Sequence, residues 1–177
     1  LGPTGAGNST TLTLITGFPE PDEGRVLISG TNTHDHPLEA KRRIGYQPEG
    51  APSYGDMTPR SFLKFNAEVR GFDGADRDRT VDEAGDKTGL HGVMEQRIET
   101  LSKGYRRRVG LAQAILHDPE ILILDEPTDG LDPNQKYHVR SLIQEMAANK
   151  AIVVVRRDLA EHLVQAAAVD VDLVDLD

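Results

Sequence analysis

Four aliphatic residues in a row, Ile121-Leu122-Ile123-Leu124, run directly into Asp125-Glu126-Pro127-Thr128, with Pro119 just behind them. A run this short and this uniformly apolar, closed off by prolines, reads as a strand buried on both faces. Strands of that kind belong to parallel sheets covered by helices, so the octet predicts an α/β architecture. Ligands of open parallel sheets bind just beyond the carboxyl ends of the strands, which is where Asp125 and Glu126 fall. Adjacent residues of a strand point in different directions, so the two carboxylates suit two roles rather than one chelate. The octet also fits a plain strand ending in an acidic turn, and its neighbours decide between the two.

Leu1-Gly2-Pro3-Thr4-Gly5-Ala6-Gly7-Asn8-Ser9-Thr10 is the most informative neighbour. Glycines at 2 and 7 and the hydroxyl of Ser9 fit the phosphate-binding loop Gly-x-x-x-x-Gly-Lys-Ser/Thr at every defined position except the lysine, which is Asn8. Glycine lets backbone N–H groups curl round a phosphate with no side chain in the way. A helix expected over about Ser9 to Thr16 adds its positive N-terminal end to the same place. Ser9 is the expected magnesium ligand of such a loop. Asn8 is neutral and too short to span two phosphates, and a lost charge-assisted hydrogen bond costs about 1.5–3 kcal/mol. A glycine-rich turn into a helix with no ligand remains the plain alternative. A chain opening on this turn is expected to lack the strand that would lead into it.

The remainder supplies further strands and a helical insertion. Arg25–Ile28, Ile44–Glu49 and Ala151–Val155 read as short strands, and Leu38–Arg43 as a brief amphipathic helix. His34 and His36 flank Asp35 in a polar loop, where a solvated turn outweighs a metal site. From about Gly50 to Lys103 the texture turns helical. Thr58-Pro59 is a strong helix start, Phe62, Phe65 and Val69 recur at three and four residues, and Gly71 ends the run. Those apolar residues predict a small core of the lobe's own. Asp76–Thr88 is a second, highly charged helix whose Gly85 costs about 1 kcal/mol against alanine.

Ser102 then caps a helix on which Tyr105, Val109, Ala112 and Leu116 share one face. Its start, Leu101-Ser102-Lys103-Gly104-Tyr105, offers a second anion-binding feature. Arg106-Arg107-Arg108 reads as a solvated face, or as a contact for an acidic partner surface. Asp129 to Pro133 turns the chain into a helix over about Pro133 to Ala147. A last helix is expected from about Leu159, followed by an alternating apolar and acidic tail at Val169–Leu173, the pattern of a strand with one wet face.

At 177 residues, with 37% hydrophobic and 28% charged side chains, the chain reads as a single domain, 1–177, with the lobe 50–103 inside it. A net charge of −9 argues against a nucleic-acid surface. The absence of cysteine excludes disulfides and thiolate metal sites and fits a reducing compartment.

Taken in order, these segments resemble the nucleotide-binding subunit of an ATP-binding-cassette (ABC) transporter along the whole chain. The most specific match is Leu101 to Tyr105 shortly ahead of Ile121 to Thr128 and Asp132, because other phosphate-loop families lack that signature segment. The resemblance implies a P-loop NTPase-type, mainly parallel sheet flanked by helices, with ATP and Mg2+ as cofactors. It implies that Gly2 to Thr10 cradle the phosphates, that Ser9 and Asp125 hold Mg2+, and that Glu126 is the general base for the attacking water. Leu101 to Tyr105 would meet the nucleotide of the other subunit in a head-to-tail homo- or heterodimer, with Asp132 linking the two sites. The implied location is cytoplasmic, on the inner face of the membrane through a transmembrane transporter subunit, with no nucleic-acid partner. A soluble mechanical ATPase acting on nucleic acid is a further reading that the acidic balance weighs against.

Three positions depart from the pattern. Asn8 replaces the loop lysine. Glu49 stands where a glutamine usually senses the γ-phosphate, although Gln47 lies two residues away. Arg157 aligns with the switch histidine, and arginine keeps its proton near neutral pH. The resemblance therefore implies either a working ATPase subunit or a degenerate one that binds nucleotide weakly and regulates a heterodimer.

Overall fold

Ile121–Asp125 forms strand β4, and all five of its residues are buried. In the computed structural model it lies between two parallel neighbours, β3 (Ile44–Gln47) and β5 (Ala151–Val155). The described residues are 8–17, 22–50, 54–155, 164–165 and 171–174. Before β3 come α1 (Asn8–Ile15), β1 (Arg25–Ile28), β2 (Thr31–Asn32) and α2 (Pro37–Arg43). Between β3 and β4 lie α3 (Pro59–Val69), α4 (Gly74–Lys87) and α5 (Lys103–Ile115), and α6 (Pro133–Met146) joins β4 to β5. Two short strands follow, β6 (Val164–Gln165) and β7 (Val171–Val174). The larger sheet runs β3-β4-β5-β6, with β6 antiparallel to β5, and a smaller antiparallel sheet runs β2-β1-β7.

Side-chain alternation divides the larger sheet into two buried faces. Ile121 and Ile123 pack with Leu12 of α1, Val26 and Ile28 of β1, and Ile44 of β3. Leu122 and Leu124 pack on the other face with Leu111 and Ala114 of α5 and with Leu131 and Val139. Burying an aliphatic side chain of this size contributes about 1.5–3 kcal/mol, so β4 is the hydrophobic spine of the fold. Gly45 lets α5 approach β3, since a Cβ there would stand 2.1 Å from the carbonyl oxygen of Ala114.

A third cluster joins α3, α4 and the outer face of α5, including Phe62, Leu63, Val81, Leu90 and Val109. Thr58 caps α3 by accepting from the Ser61 N–H at 3.1 Å. The expected inward stripe of α3 needs correction. Phe62 is buried, but Phe65 and Val69 are 44% and 72% exposed, and Leu63 and Ala67 fill the interior instead. Positions 62, 63 and 67 lie on one side of a 3.6-residue helix, and 65 and 69 rotate out of it. Phe65 packs on Tyr54, with ring centroids 6.1 Å apart. Gly85 is explained by packing: a Cβ would press on the Met94 thioether at 3.2 Å.

The C-terminal expectations divide. Residues 159–163 lie outside the described residues, and at Val164–Gln165 the chain is a strand rather than the expected helix. Of the alternating tail, Val171–Val174 forms a strand antiparallel to β1 in the small sheet, while Val169 and Asp170 lie outside the described residues. Among the described residues no helix is long and apolar enough to cross a membrane.

Candidate functional site

Where β4 ends, two things happen to the backbone. Asp125 finishes the parallel register opposite Val155, and Glu126 turns to φ 53° while its N–H still donates to the Val155 carbonyl at 3.0 Å. A non-glycine residue in the left-handed region is uncommon and worth examining for function. The turn closes when the Asp129 N–H donates to the Glu126 carbonyl at 3.1 Å.

Alternation puts Asp125 on the same face as Ile121 and Ile123, the face on which α1 packs through Leu12. Asp125 is 5% exposed. Tyr46 belongs to that face too. Its hydroxyl is pushed above the ordinary phenol range by burial, and further by the negative charge of Asp125. Asn8, Ser9 and Thr10 form the first turn of α1, one residue earlier than the helix expected from Ser9. The N-terminal turn after the glycine segment and the buried carboxylate are thus carried by elements packed on one sheet face. A helix start and a buried acid at a strand end fit a phosphate-bearing ligand accompanied by a divalent cation. Gly2, Pro3, Thr4, Gly5, Ala6, Gly7 and Arg157 lie outside the described residues.

The other sequence-derived residues fall into two groups. Glu49 is exposed just past β3. Gln47 is 1% exposed and turns the opposite way from Asp125, donating from Nε2 to the Arg107 carbonyl on α5 at 3.2 Å. It therefore does not stand in for the sensing glutamine on the α1 face. Leu101 is buried, while Ser102 and Lys103 are exposed. Ser102 Oγ accepts from the Tyr105 N–H at 3.3 Å, as a cap should. Val109, Ala112 and Leu116 are buried with half-buried Tyr105 against them, as the periodicity predicts. Gly104 is buried against the start of α6, since a Cβ would meet Gln135 Oε1 at 2.6 Å. Asp132 caps α6, accepting from the Gln135 N–H at 2.9 Å.

Two site residues escaped the sequence reading. Arg107 is 4% exposed, which corrects the reading of the arginine triplet as a solvated face. Its Nη2 reaches Asp129 Oδ2 at 3.4 Å and its Nη1 reaches the Gly50 carbonyl at 3.3 Å. Asp129 is also bonded by Lys103 Nζ at 2.8 Å, and that bond, with Arg107 adding to it, holds the carboxyl below the usual carboxylate range. The legible signal was the second stripe of α5, where Gly104, Arg107, Leu111 and Ala114 recur at three and four residues. In the polar loop, Asn32 donates to Asp35 at 2.7 Å. Among the described residues no group of three or more His, Asp or Glu is arranged to hold a metal ion.

Comparison with known proteins agrees with this geometry. The ABC transporter family profile matches residues 1–129. The chain is 36% identical over 153 residues to the ABC transporter ATP-binding protein YxlF of Bacillus subtilis, covering 86% of this chain and 50% of that one. It is 36% identical over 154 residues to the bacitracin transport ATP-binding protein BcrA of Bacillus licheniformis, covering 87% and 49%. The chain thus spans about half the length of these relatives. Among solved structures, an ATP-binding subunit of an ABC transporter superposes with a TM-score of 0.79 at 30% identity, over 90% of this chain and 67% of that one. The dimeric ATP-binding cassette MJ0796, in a post-hydrolysis state bound to ADP and Pi, superposes with a TM-score of 0.78 at 25% identity, over 88% and 72%. With a parallel sheet flanked by helices, a helix start and a buried acid on one face, and a family match over 129 of its residues, the chain belongs to the ABC transporter family.

Proposed function

We propose that this chain binds Mg-ATP between Gly2–Thr10 and the Asp125-Glu126 pair and energises transport by a membrane partner. The observation that supports this reading best is the packing of Leu12 on Ile121 and Ile123, the face that Asp125 shares. Ser9 and Asp125 would hold the magnesium ion, which when bound would supply charge neutralisation at the phosphates. Glu126 would orient or deprotonate the attacking water, and Glu49 and Arg157 would serve the γ-phosphate. Arg157 acts there as a fixed charge, because guanidinium does not give up its proton. The signature segment from Leu101 to Tyr105 contacts the nucleotide of a second subunit arranged head to tail, and Asp132 joins the two sites. Two proteins resembling this chain support the partner and the pairing: one is named for bacitracin transport and the other is a dimer bound to ADP and Pi.

Asn8 favours a second reading, in which the chain binds nucleotide weakly and serves as the regulatory half of a heterodimer. Purified chain assayed for Mg-ATP turnover, with Glu126→Gln alongside, separates the two. Turnover that Glu126→Gln abolishes supports the hydrolytic subunit. Nucleotide binding without turnover supports the regulatory one, and no binding by a folded chain sinks both.

A further inference from the structure

Arg107 stands out among the groups the proposed chemistry does not use. It is a buried cation in the second turn of α5, and its guanidinium spans two loops distant from each other in sequence. On one side is the carbonyl of Gly50, the residue after Glu49. On the other is the carboxylate of Asp129, in the turn that leads from Glu126 to Asp132. Its main-chain carbonyl also takes the bond from Gln47 Nε2, at the end of β3. One helical turn on, Gly110 lies beside that carboxamide, whose Nε2 stands 3.5 Å from where a Cβ would be, an ordinary contact distance.

This arrangement has a specific chemistry. A planar guanidinium directs N–H groups along several fixed vectors, so it holds a carbonyl and a carboxylate at once in a set relative geometry. A buried cation with a single carboxylate partner is held in place strongly, because losing that partner leaves it unpaired. Lys103 also bonds Asp129, but its side chain is 58% exposed and its contribution is correspondingly screened. Among the described residues Arg107 is a buried connection between the two loops.

We infer that Arg107 is a positioning residue that makes the loop of Glu49 and Gly50 and the turn of Asp129 to Asp132 move together. The inference rests on the proposed function for its meaning. There Glu49 lies at the nucleotide of its own subunit, whereas Ser102, Gly104 and Asp132 address the nucleotide of the other. Arg107 would carry the state of one site to the elements that serve the second.

Amide hydrogen exchange on the full chain tests this, with Asp129→Asn, Arg107→Gln and the double variant. Among the described residues Arg107 bonds both Asp129 and Gly50, so Asp129→Asn is expected to reach that loop through Arg107, and the double variant tests that route. Exchange over 47–50 is expected to quicken on the order of tenfold in Asp129→Asn, the factor set by one charge-assisted hydrogen bond. In the Arg107→Gln background the same change should add nothing. An unchanged 47–50 segment in Asp129→Asn overturns the inference, and this half-exposed variant keeps the test intact if Arg107→Gln does not fold. Exchange that rises evenly along α5 in Arg107→Gln also overturns it, since that is the mark of a merely structural residue. A second arm adds saturating Mg-ATP, which should slow exchange in both segments of the wild-type chain but only in 47–50 of Arg107→Gln. Equal protection of both segments in Arg107→Gln overturns the inference. If Mg-ATP protects no segment of the wild-type chain, the nucleotide reading fails, and the Arg107 link is decided by the nucleotide-free arm.

Discussion

Replacing Gly45 by alanine tests the central packing relation of the fold. The new Cβ would stand 2.1 Å from the carbonyl oxygen of Ala114 and 2.8 Å from Pro119 Cγ. Carbon-to-oxygen contacts settle at about 3.3–3.6 Å, so roughly 1.2 Å of overlap must be relieved. The obstacle is backbone on one side and a proline ring on the other, so no flexible side chain can swing away. Relief requires α5 to lift from β3, loosening contacts of Leu111 and Ala114 with the strand residues beneath. Overpacking of a closed core costs about 1–3 kcal/mol and sometimes more, and the backbone obstacle puts this case near the upper end. For a chain of this size about 3 kcal/mol lowers the melting temperature by roughly 6–12 °C. Urea unfolding followed by circular dichroism measures it, with Gly92→Ala as control, because a Cβ at Gly92 meets nothing within 4 Å. A midpoint change in Gly45→Ala equivalent to less than about 1 kcal/mol would refute the reasoning, since the strand and helix would then not be as closely seated as described.

Other expectations are independent of that one. Asn8→Lys restores a charge-assisted contact worth about 1.5–3 kcal/mol and should tighten Mg-ATP binding by roughly ten- to a hundredfold, read by isothermal titration. An unchanged affinity would show that the lysine was not what the loop lacks. His117 is half-buried, with Nε2 at 3.1 Å from the Ile44 carbonyl, and burial pushes its imidazole down to about 4. The unfolded chain takes up that proton near pH 6.5 and the folded chain does not, so stability falls as pH drops from 6.5 to 4. Discounted for partial exposure, the loss is about 2 kcal/mol, and His117→Asn should flatten that part of a stability–pH profile. Thr58→Ala should cost about 1 kcal/mol in urea unfolding through the cap of α3 and leave nucleotide affinity alone. Ser102→Ala should cost a similar amount and, in addition, weaken nucleotide-dependent dimerisation followed by light scattering.

What was legible in the sequence was whatever local rules decide. The aliphatic run of β4 has no helical alternative at that length, and Thr58-Pro59 and Ser102 announce helix starts through their own side chains. What stayed hidden depends on partners far along the chain. Arg107 is buried because Gly50, 57 residues back, and Asp129, 22 residues on, supply acceptors. A run of three arginines carries no trace of those partners. Phe65 and Val69 misled for the opposite reason: apolar spacing marks a stripe, but the neighbouring helices choose which stripe faces inward. In the candidate site, the strand end and the acids were readable, whereas the face on which Asp125 sits follows from the register of β4 against its neighbours.

The left-handed backbone at Glu126 has a consequence for how the chain would respond to selection for durability alone. Glycine adopts such a conformation at no steric cost, so Glu126→Gly relieves the backbone at this position while removing the carboxylate. Selection for heat resistance with no activity screen would favour residues that relax the backbone at this one site, and every such change would erase the acid to which the proposed function assigns the water chemistry.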